Sequence, residues 1–458
     1  MSDSSIRIIV STVTYVNEDF GQKCQKGRFF LTLMPCYNHP MKIKTQRKSY
    51  DEVMRIPKPA HVKPQKPSPI LRAVMKIASA PDLRAVDFSY TTENMERAGD
   101  GPWLILMNHS SFLDLEIASR IIPMPYNIVC TSDGFVGKER LMRSLGCIPT
   151  QKFVTDVSLI SDLKHATGKN HTSVLMYPEA SYSFDGTATK LPRKMGVLFK
   201  ALKVPVVMIT TFGSFARDPL YNNLQKRKVN VSAKMECLLS AEDVKNLSVK
   251  EIDDILDEAF SFDYFKWQYD NRIAITEPFR ADGLNRILYK CPHCQTEGAT
   301  EGLGTTLVCH NCGALYDMDE YGKLASRSDN TIFSHIPDWY AWERECVRKE
   351  IESGTYVLDT DAKIGIIADY KALYMVGEGH LRHDCSGFHL TGCDGKLCYE
   401  QAVSKSYSCY SDYYWYEIGD VICIGDKDRL YYCFPEKRDV VAKTRLATEE
   451  LFKQKSVK

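Results

Sequence analysis

The chain has 458 residues, 44% hydrophobic, 11% aromatic and 26% charged, so it carries enough apolar material for packed cores and too much length for one ordinary domain. Global disorder and low-complexity fibres are excluded by that composition. With 59 Lys and Arg against 58 Asp and Glu, the formal charge of +1 gives no reason to expect nucleic acid as the main partner.

The N-terminal stretch has Asp3 early and no small-residue cleavage site behind a long apolar core, so it does not read as a secretory signal. No segment reaches the ~18 apolar residues of a spanning helix: Phe29 to Pro35 and Trp103 to Met107 are short, and Val197 to Phe212 is interrupted by Lys200, Lys203 and Pro205. A cytoplasmic chain that lies on a membrane without crossing it is expected. The 16 cysteines include one tight cluster of four and otherwise scatter, which reads as reduced thiols.

Residues 1–70 read as a basic, proline-rich N-terminal arm. Ten Lys or Arg fall in 41–80 against Asp51 and Glu52, with five prolines between Pro57 and Pro69. Such a stretch either offers cations to anionic headgroups or is a solvated linker. Residues 71–280 alternate strand-like runs (Trp103–Met107, Tyr126–Cys130, Ser173–Tyr177, Val204–Thr210, Val229–Cys237) with helical patterns (Phe112–Ile121, Lys194–Leu202), the signature of an α/β domain with a mixed sheet flanked by helices. A capping box, Ser248 with Glu251, opens a closing helix carrying Ile252, Ile255, Leu256 and Ala259.

Residues 285–325 hold Cys291, Cys294, Cys309 and Cys312 as C-x2-C-x14-C-x2-C, the spacing of a four-cysteine zinc ribbon. Four thiolates leave no open coordination position, so a structural zinc is expected, with an iron site or a redox pair as the alternatives. Residues 330–458 begin with a helix around Pro337, Trp339, Trp342, Val347 and Ile351. Short strands divided by GEGH, CDGK, GD and GDKD turns follow, and an amphipathic helix on Val440, Thr444, Ala447 and Leu451 closes the chain. That element order resembles a PH-like domain. The tyrosines around Trp415 read as cross-strand packing before they read as an interfacial belt.

One segment stands out chemically. Met107-Asn108-His109-Ser110-Ser111-Phe112-Leu113-Asp114 places N-H-x4-D where an apolar strand meets a helix. A histidine oriented by a carboxylate can accept a hydroxyl proton. The spacing alone is weak, since His389 and Asp394 repeat it in the β-rich tail, where it reads as chance. The first copy is followed in order by Gly146-Cys147-Ile148-Pro149-Thr150-Gln151-Lys152, by Tyr177-Pro178-Glu179-Ala180-Ser181-Tyr182-Ser183, by Leu191-Pro192-Arg193-Lys194-Met195-Gly196 and by Val204-Pro205-Val206-Val207.

These ordered blocks resemble those of the glycerolipid acyltransferase family, which includes the lysophosphatidate acyltransferases, over roughly residues 80–280. The resemblance implies that His109 is the base on the acceptor hydroxyl and Asp114 its orienting partner. It further implies that Glu179, Ser181, Tyr182, Lys152 and Lys194 bind the acceptor, the two lysines facing a headgroup phosphate, while Arg193 reads as surface and Cys147 as packing. Two departures matter: Tyr182 stands where the family has arginine, and Met208 where its last block has proline. The implied activity is fatty acyl transfer from acyl-CoA or acyl-carrier protein to a lysolipid, lysophosphatidate first, by a peripheral membrane enzyme. The alternatives are acylation of another lysophospholipid, aminolipid or glycolipid, and a non-catalytic zinc-ribbon binding protein.

Overall fold

A computed structural model describes residues 42–153, 157–192, 194–328 and 330–456. The reading of the N-terminal stretch up to residue 41, and that of Arg193, lie outside the described residues.

After a short strand, β1 (Thr45–Arg47), the α/β part contributes β2 (Ser89–Glu93), β3 (Leu104–Met107), β4 (Tyr126–Thr131), β5 (Cys147–Thr150), β6 (Ser173–Met176), β7 (Val206–Phe212) and β8 (Ser232–Leu239). They form one sheet in the order β2-β8-β7-β3-β6-β4-β5. The run from β7 to β5 is parallel, whereas β8 is antiparallel to β7 and carries β2 parallel beside it. This is the mixed sheet that the alternating pattern predicts, and most of it is parallel. β3 sits at its centre and is fully buried, so it must be apolar on both faces. Leu104 and Leu106 join the core under helices Met195–Leu202 and Val249–Ala259; Ile105 and Met107 join the core under helix Leu113–Ile121.

The capping box forms as predicted: Glu251 N donates to Ser248 Oγ (3.2 Å) and Ser248 N to Glu251 Oε2 (2.7 Å). Gly196 is needed where the two helices of that face touch, since a Cβ there would lie 2.8 Å from the Val249 carbonyl oxygen. Two strands escaped the pattern: β2, SYTTE, is exposed at every position, and β5 contains Pro149.

The cysteine segment folds as a four-stranded antiparallel sheet of β9 (Thr300–Leu303), β10 (Thr306–Cys309), β11 (Leu315–Met318) and β12 (Leu324–Ser326). Helix Ile336–Glu352 follows, with Pro337 in its first turn. Then come β13 (Val357–Ile366), β14 (Leu373–Asp384), β15 (Gly387–Gly392), β16 (Leu397–Ala402), β17 (Tyr410–Trp415), β18 (Gly419–Gly425) and β19 (Leu430–Pro435), an antiparallel meander whose first and last strands pair, giving the order β16-β15-β14-β13-β19-β18-β17. Helix Val441–Ser456 packs on it with Val441, Ala442, Leu446, Ala447 and Leu451 buried. Tyr410, Tyr413 and Trp415 are core residues and not a belt.

The basic segment from residue 42 is extended but not loose. β1 adds to β14, Lys58 Nζ meets Asp428 Oδ1 at 2.6 Å, and the Gln65 and Pro64 carbonyls accept from Asn127 (2.8 Å) and Asn170 (2.9 Å), so the strap ties the β-rich tail to the α/β sheet. Helix Pro69–Ala78 then buries none of its residues, and Ile70, Val74 and Ile77, at the spacing of one helical face, are exposed. Among the described residues no helix is long and apolar enough to cross a membrane.

Candidate active site

β3 delivers the N-H-x4-D segment to the carboxyl end of the parallel strands. Asn108 fixes the turn by accepting from Thr211 N (2.8 Å), which ties it to β7. Four residues after His109 helix Leu113–Ile121 begins, and its first turn carries Asp114 back under the imidazole. His109 Nδ1 lies 2.9 Å from Asp114 Oδ2. The same oxygen accepts the amides of Ser110 (2.9 Å) and Ser111 (3.1 Å), so it acts as an acceptor throughout. The proton of the neutral ring therefore sits on Nδ1, and Nε2 carries the free lone pair. Burial holds the His109 pKa below its ordinary value, Lys152 acting in the same direction and Asp114 against it. A neutral imidazole with a fixed tautomer is what a general base requires.

The repeat of the spacing shows why chain direction decides. His389 lies on β15, which runs on extended to Gly392 and carries the chain about 10 Å away before the turn that holds Asp394, and its ring meets Ser386 Oγ at 2.7 Å.

The loop after β6 closes over His109. Tyr177 and Tyr182 each lie 4.1 Å from the imidazole, centroid to centroid, and two rings that close must occupy opposite faces. Glu179, 2% exposed, accepts from His109 N through Oε2 (3.0 Å) and from Thr189 N through Oε1 (2.7 Å). Burial pushes its pKa up to about 7 against those amides. Each Glu179 oxygen accepts a backbone amide, and through the His109 N–H the carboxylate holds the backbone of the base. A small pocket beneath is lined by Asn108, His109, Glu179, Met208, Phe260 and Phe262.

Ser181 is buried and accepts from Arg445 Nη1 (3.3 Å) on the C-terminal helix. Lys152 lies with its ammonium 4.4 Å from the centre of the Tyr410 ring and near enough for His109 to feel its charge. Lys194 is exposed in a left-handed turn at the start of helix Met195–Leu202 and has no contact with the dyad among the described residues, so the structure does not bring it to the site. Sequence reasoning missed Tyr177, Asp412 and Arg445. Tyr177 stands at the head of the third block. Asp412, buried and pushed up to about 6 by desolvation with Lys152 opposing, and Arg445 come from the distant tail, where nothing local marks them.

The four cysteine sulfurs lie within 4.8 Å of one another. Cys291 and Cys312 are 3.8 Å apart and Cys294 and Cys309 3.7 Å, matching the ~3.8 Å edge of a tetrahedron built from metal–sulfur bonds of about 2.3 Å.

An oriented, neutral histidine at the carboxyl ends of the parallel strands is able to accept a proton from a hydroxyl placed beside it. Residues 88–212 match the family described as Acyltransferase, and the chain carries an acyltransferase-family enzyme domain. It is also similar to a solved structure, the 1-acyl-sn-glycerophosphate (LPA) acyltransferase PlsC from Thermotoga maritima, at 14% identity over 42% of this chain and 78% of that one, with a TM-score of 0.31.

Proposed function

We propose that this chain transfers a fatty acyl group from acyl-CoA or acyl-carrier protein to the hydroxyl of a lysolipid, with lysophosphatidate as the first acceptor to test. The observation that carries the reading is the His109–Asp114 pair, 2.9 Å apart inside the matched segment. His109 Nε2 takes the hydroxyl proton as the acceptor oxygen attacks the thioester carbonyl. The tetrahedral intermediate then collapses, the C–S bond breaks, and the imidazolium returns the proton to the leaving thiolate. Asp114 stabilises the imidazolium between those steps.

The four cysteines suit a structural zinc, which when bound would hold the ribbon and take no part in transfer. The exposed stripe Ile70, Val74 and Ile77, beside Lys63, Lys66 and Lys76, supports a peripheral seat on an anionic membrane surface.

A second reading, an acceptor with a larger or amino-bearing headgroup, is favoured by one observation. Tyr182 covers the base where the resemblance leads one to expect arginine, and the buried carboxylates Asp133 and Asp412 are felt at its ring. Purified protein given labelled acyl-CoA or acyl-carrier protein and a panel of lysolipids separates the readings. Transfer to lysophosphatidate, weakened by Lys152→Gln, supports the first. Transfer only to other lysolipids moves the assignment to the second, and no transfer at all sinks both.

A further inference from the structure

The C-terminal helix reaches into the loop that covers the base. Arg445, in the second turn of helix Val441–Ser456, has a side chain 4% exposed. Its Nη1 donates to Ser181 Oγ (3.3 Å), and its guanidinium carbon lies 4.4 Å from the centre of the Phe184 ring. Phe184 is held on another side by Tyr413 at 4.5 Å, whose hydroxyl donates to the Arg286 carbonyl (2.6 Å). The two residues between these anchors both touch the base: Tyr182 stacks on the imidazole, and Ser183 N donates to the His109 carbonyl (3.1 Å). The far side of Arg445 is fixed by Glu449 at 3.6 Å, which also receives Arg344 Nη1 (2.7 Å) and Ser408 Oγ (2.8 Å).

We infer that Arg445 is a positioning residue for the base: by gripping Ser181 and Phe184 it keeps Tyr182 stacked on His109, so the C-terminal helix is a working part of the acyltransferase site. The inference rests on His109 being the base. Four residues of loop held at both ends have little freedom to swing, and releasing one end lets Tyr182 lift and water reach the imidazole. The charged and titratable groups facing His109 are Asp114 from the helix that follows it, Lys152 from beyond β5, and Tyr177, Glu179 and Tyr182 from the loop. Those acting at Tyr182 are Asp114, Asp133, Asp218 and Asp412, and the field of Arg445 reaches Glu179 and Asp412. With the stack intact, burial keeps the imidazole pKa low. With water admitted it rises, and kcat falls on the acid side because less of the base is neutral.

The test follows His109 by NMR titration of histidine-labelled full-length protein, its signal identified with His109→Gln, alongside kcat against pH. In Arg445→Ala the His109 pKa should rise, the acid limb of kcat should move to higher pH, and kcat should fall about 10- to 100-fold while the acceptor KM changes little. Arg445→Lys, which keeps the charge but not the fork, should recover part of the loss. Arg344→Gln frees Glu449 without touching Ser181, and it should lower thermal stability while leaving the His109 titration alone. An unchanged His109 titration in Arg445→Ala, or an equal shift in Arg344→Gln, overturns the inference. If Arg445→Ala does not fold, Ser181→Ala removes the acceptor alone, and an unchanged titration there overturns it equally. A wild type that transfers to no lysolipid, yet whose His109 responds to Arg445, defeats the acyltransfer reading and keeps the contact; an active wild type with no response does the reverse.

Discussion

The Tyr182 ring lies 4.1 Å from the His109 ring at an interplanar angle of 28°, so the residue that departs from the family pattern is one of the two rings, with Tyr177, that stack on the base. A phenyl ring keeps that stack. Tyr182→Phe should hold kcat within about threefold of wild type, whereas Tyr182→Ala should cost tenfold or more and raise the pH of the acid limb as water reaches the imidazole. Steady-state kinetics between pH 5 and 8 decide this, and equal profiles for Phe and Ala would deny the stack any role.

His109→Ala should remove the base and lower kcat by about 10³-fold, within the range for general base catalysis. Asp114→Asn should cost less. Its amide oxygen can take the place of Oδ2 as acceptor of the His109 ring and of the Ser110 and Ser111 amides, so the tautomer is kept and the losses are the charge and an NH2 left without a partner at the Oδ1 position. His389→Ala should leave kcat unchanged, because that ring meets Ser386 Oγ in the turn before β15 and makes no contact with the dyad among the described residues. Rates of labelled acyl transfer for the three variants check the order.

Purified protein should contain about one zinc per chain, measured by elemental analysis, and a strong chelator should lower Tm by several degrees. Cys291→Ser and Cys309→Ser should do the same, since both residues are fully buried in the core they share with Tyr316 and Trp339. The damage should spread. Trp339 Nε1 donates to the Lys290 carbonyl beside the cysteines (3.0 Å), and its helix supplies Arg344, which meets the C-terminal helix at Glu449. Metal-free protein with an unchanged Tm would mean that the ribbon stands without a metal.

Exchanging Ile70 and Ile77 together for Glu should weaken co-sedimentation with anionic vesicles by 10-fold or more, since each isoleucine is worth ~1.5–3 kcal/mol when removed from water. Tm should not move, because both side chains are 59% and 74% exposed already. Salt should weaken wild-type binding over the ~10 Å screening length at 0.1 M. Equal sedimentation of variant and wild type would reassign the stripe to another surface.

What could be read from the sequence and what could not divide along physical lines. The dyad was legible because strand, turn and helix follow one another within eight residues, so the turn into the helix brings Asp114 back to His109 where an extended chain with the same spacing does not. The cysteine cluster was legible because each knuckle is local. β2 and β5 were hidden because their residues are polar or include proline, and only pairing with β8 and β4 makes them strands. Glu179 and Lys194 were placed by motif position, which cannot say whether a carboxylate is already bound by amides or whether a lysine faces the site. Arg445 and Asp412 lie more than 200 residues beyond the third block, and their arrival depends on how the meander docks, which no local pattern encodes.

Helix Leu113–Ile121 carries a second carboxylate, Glu116, whose Oε2 is buried without a partner. Desolvation pushes its pKa up to about 8, Asp82 and Asp218 adding to the rise and Lys226 and Arg217 opposing it. A carboxyl whose folded pKa exceeds its ordinary 4.5 binds a proton on folding, so wild-type stability falls as pH climbs from about 4.5 to 8. Glu116→Gln cannot titrate. Its Tm should match or slightly trail wild type at pH 5 and exceed it by a few degrees at pH 8, on the order of 2 kcal/mol after allowing for the side chain's remaining solvent contact. The slope should not vanish, because Asp218, pushed up to about 7, and Glu179 still titrate in the variant. Calorimetric scans of both proteins from pH 5 to 8.5 measure the difference, and a variant that loses stability with pH as steeply as wild type would show that Glu116 is solvated in solution.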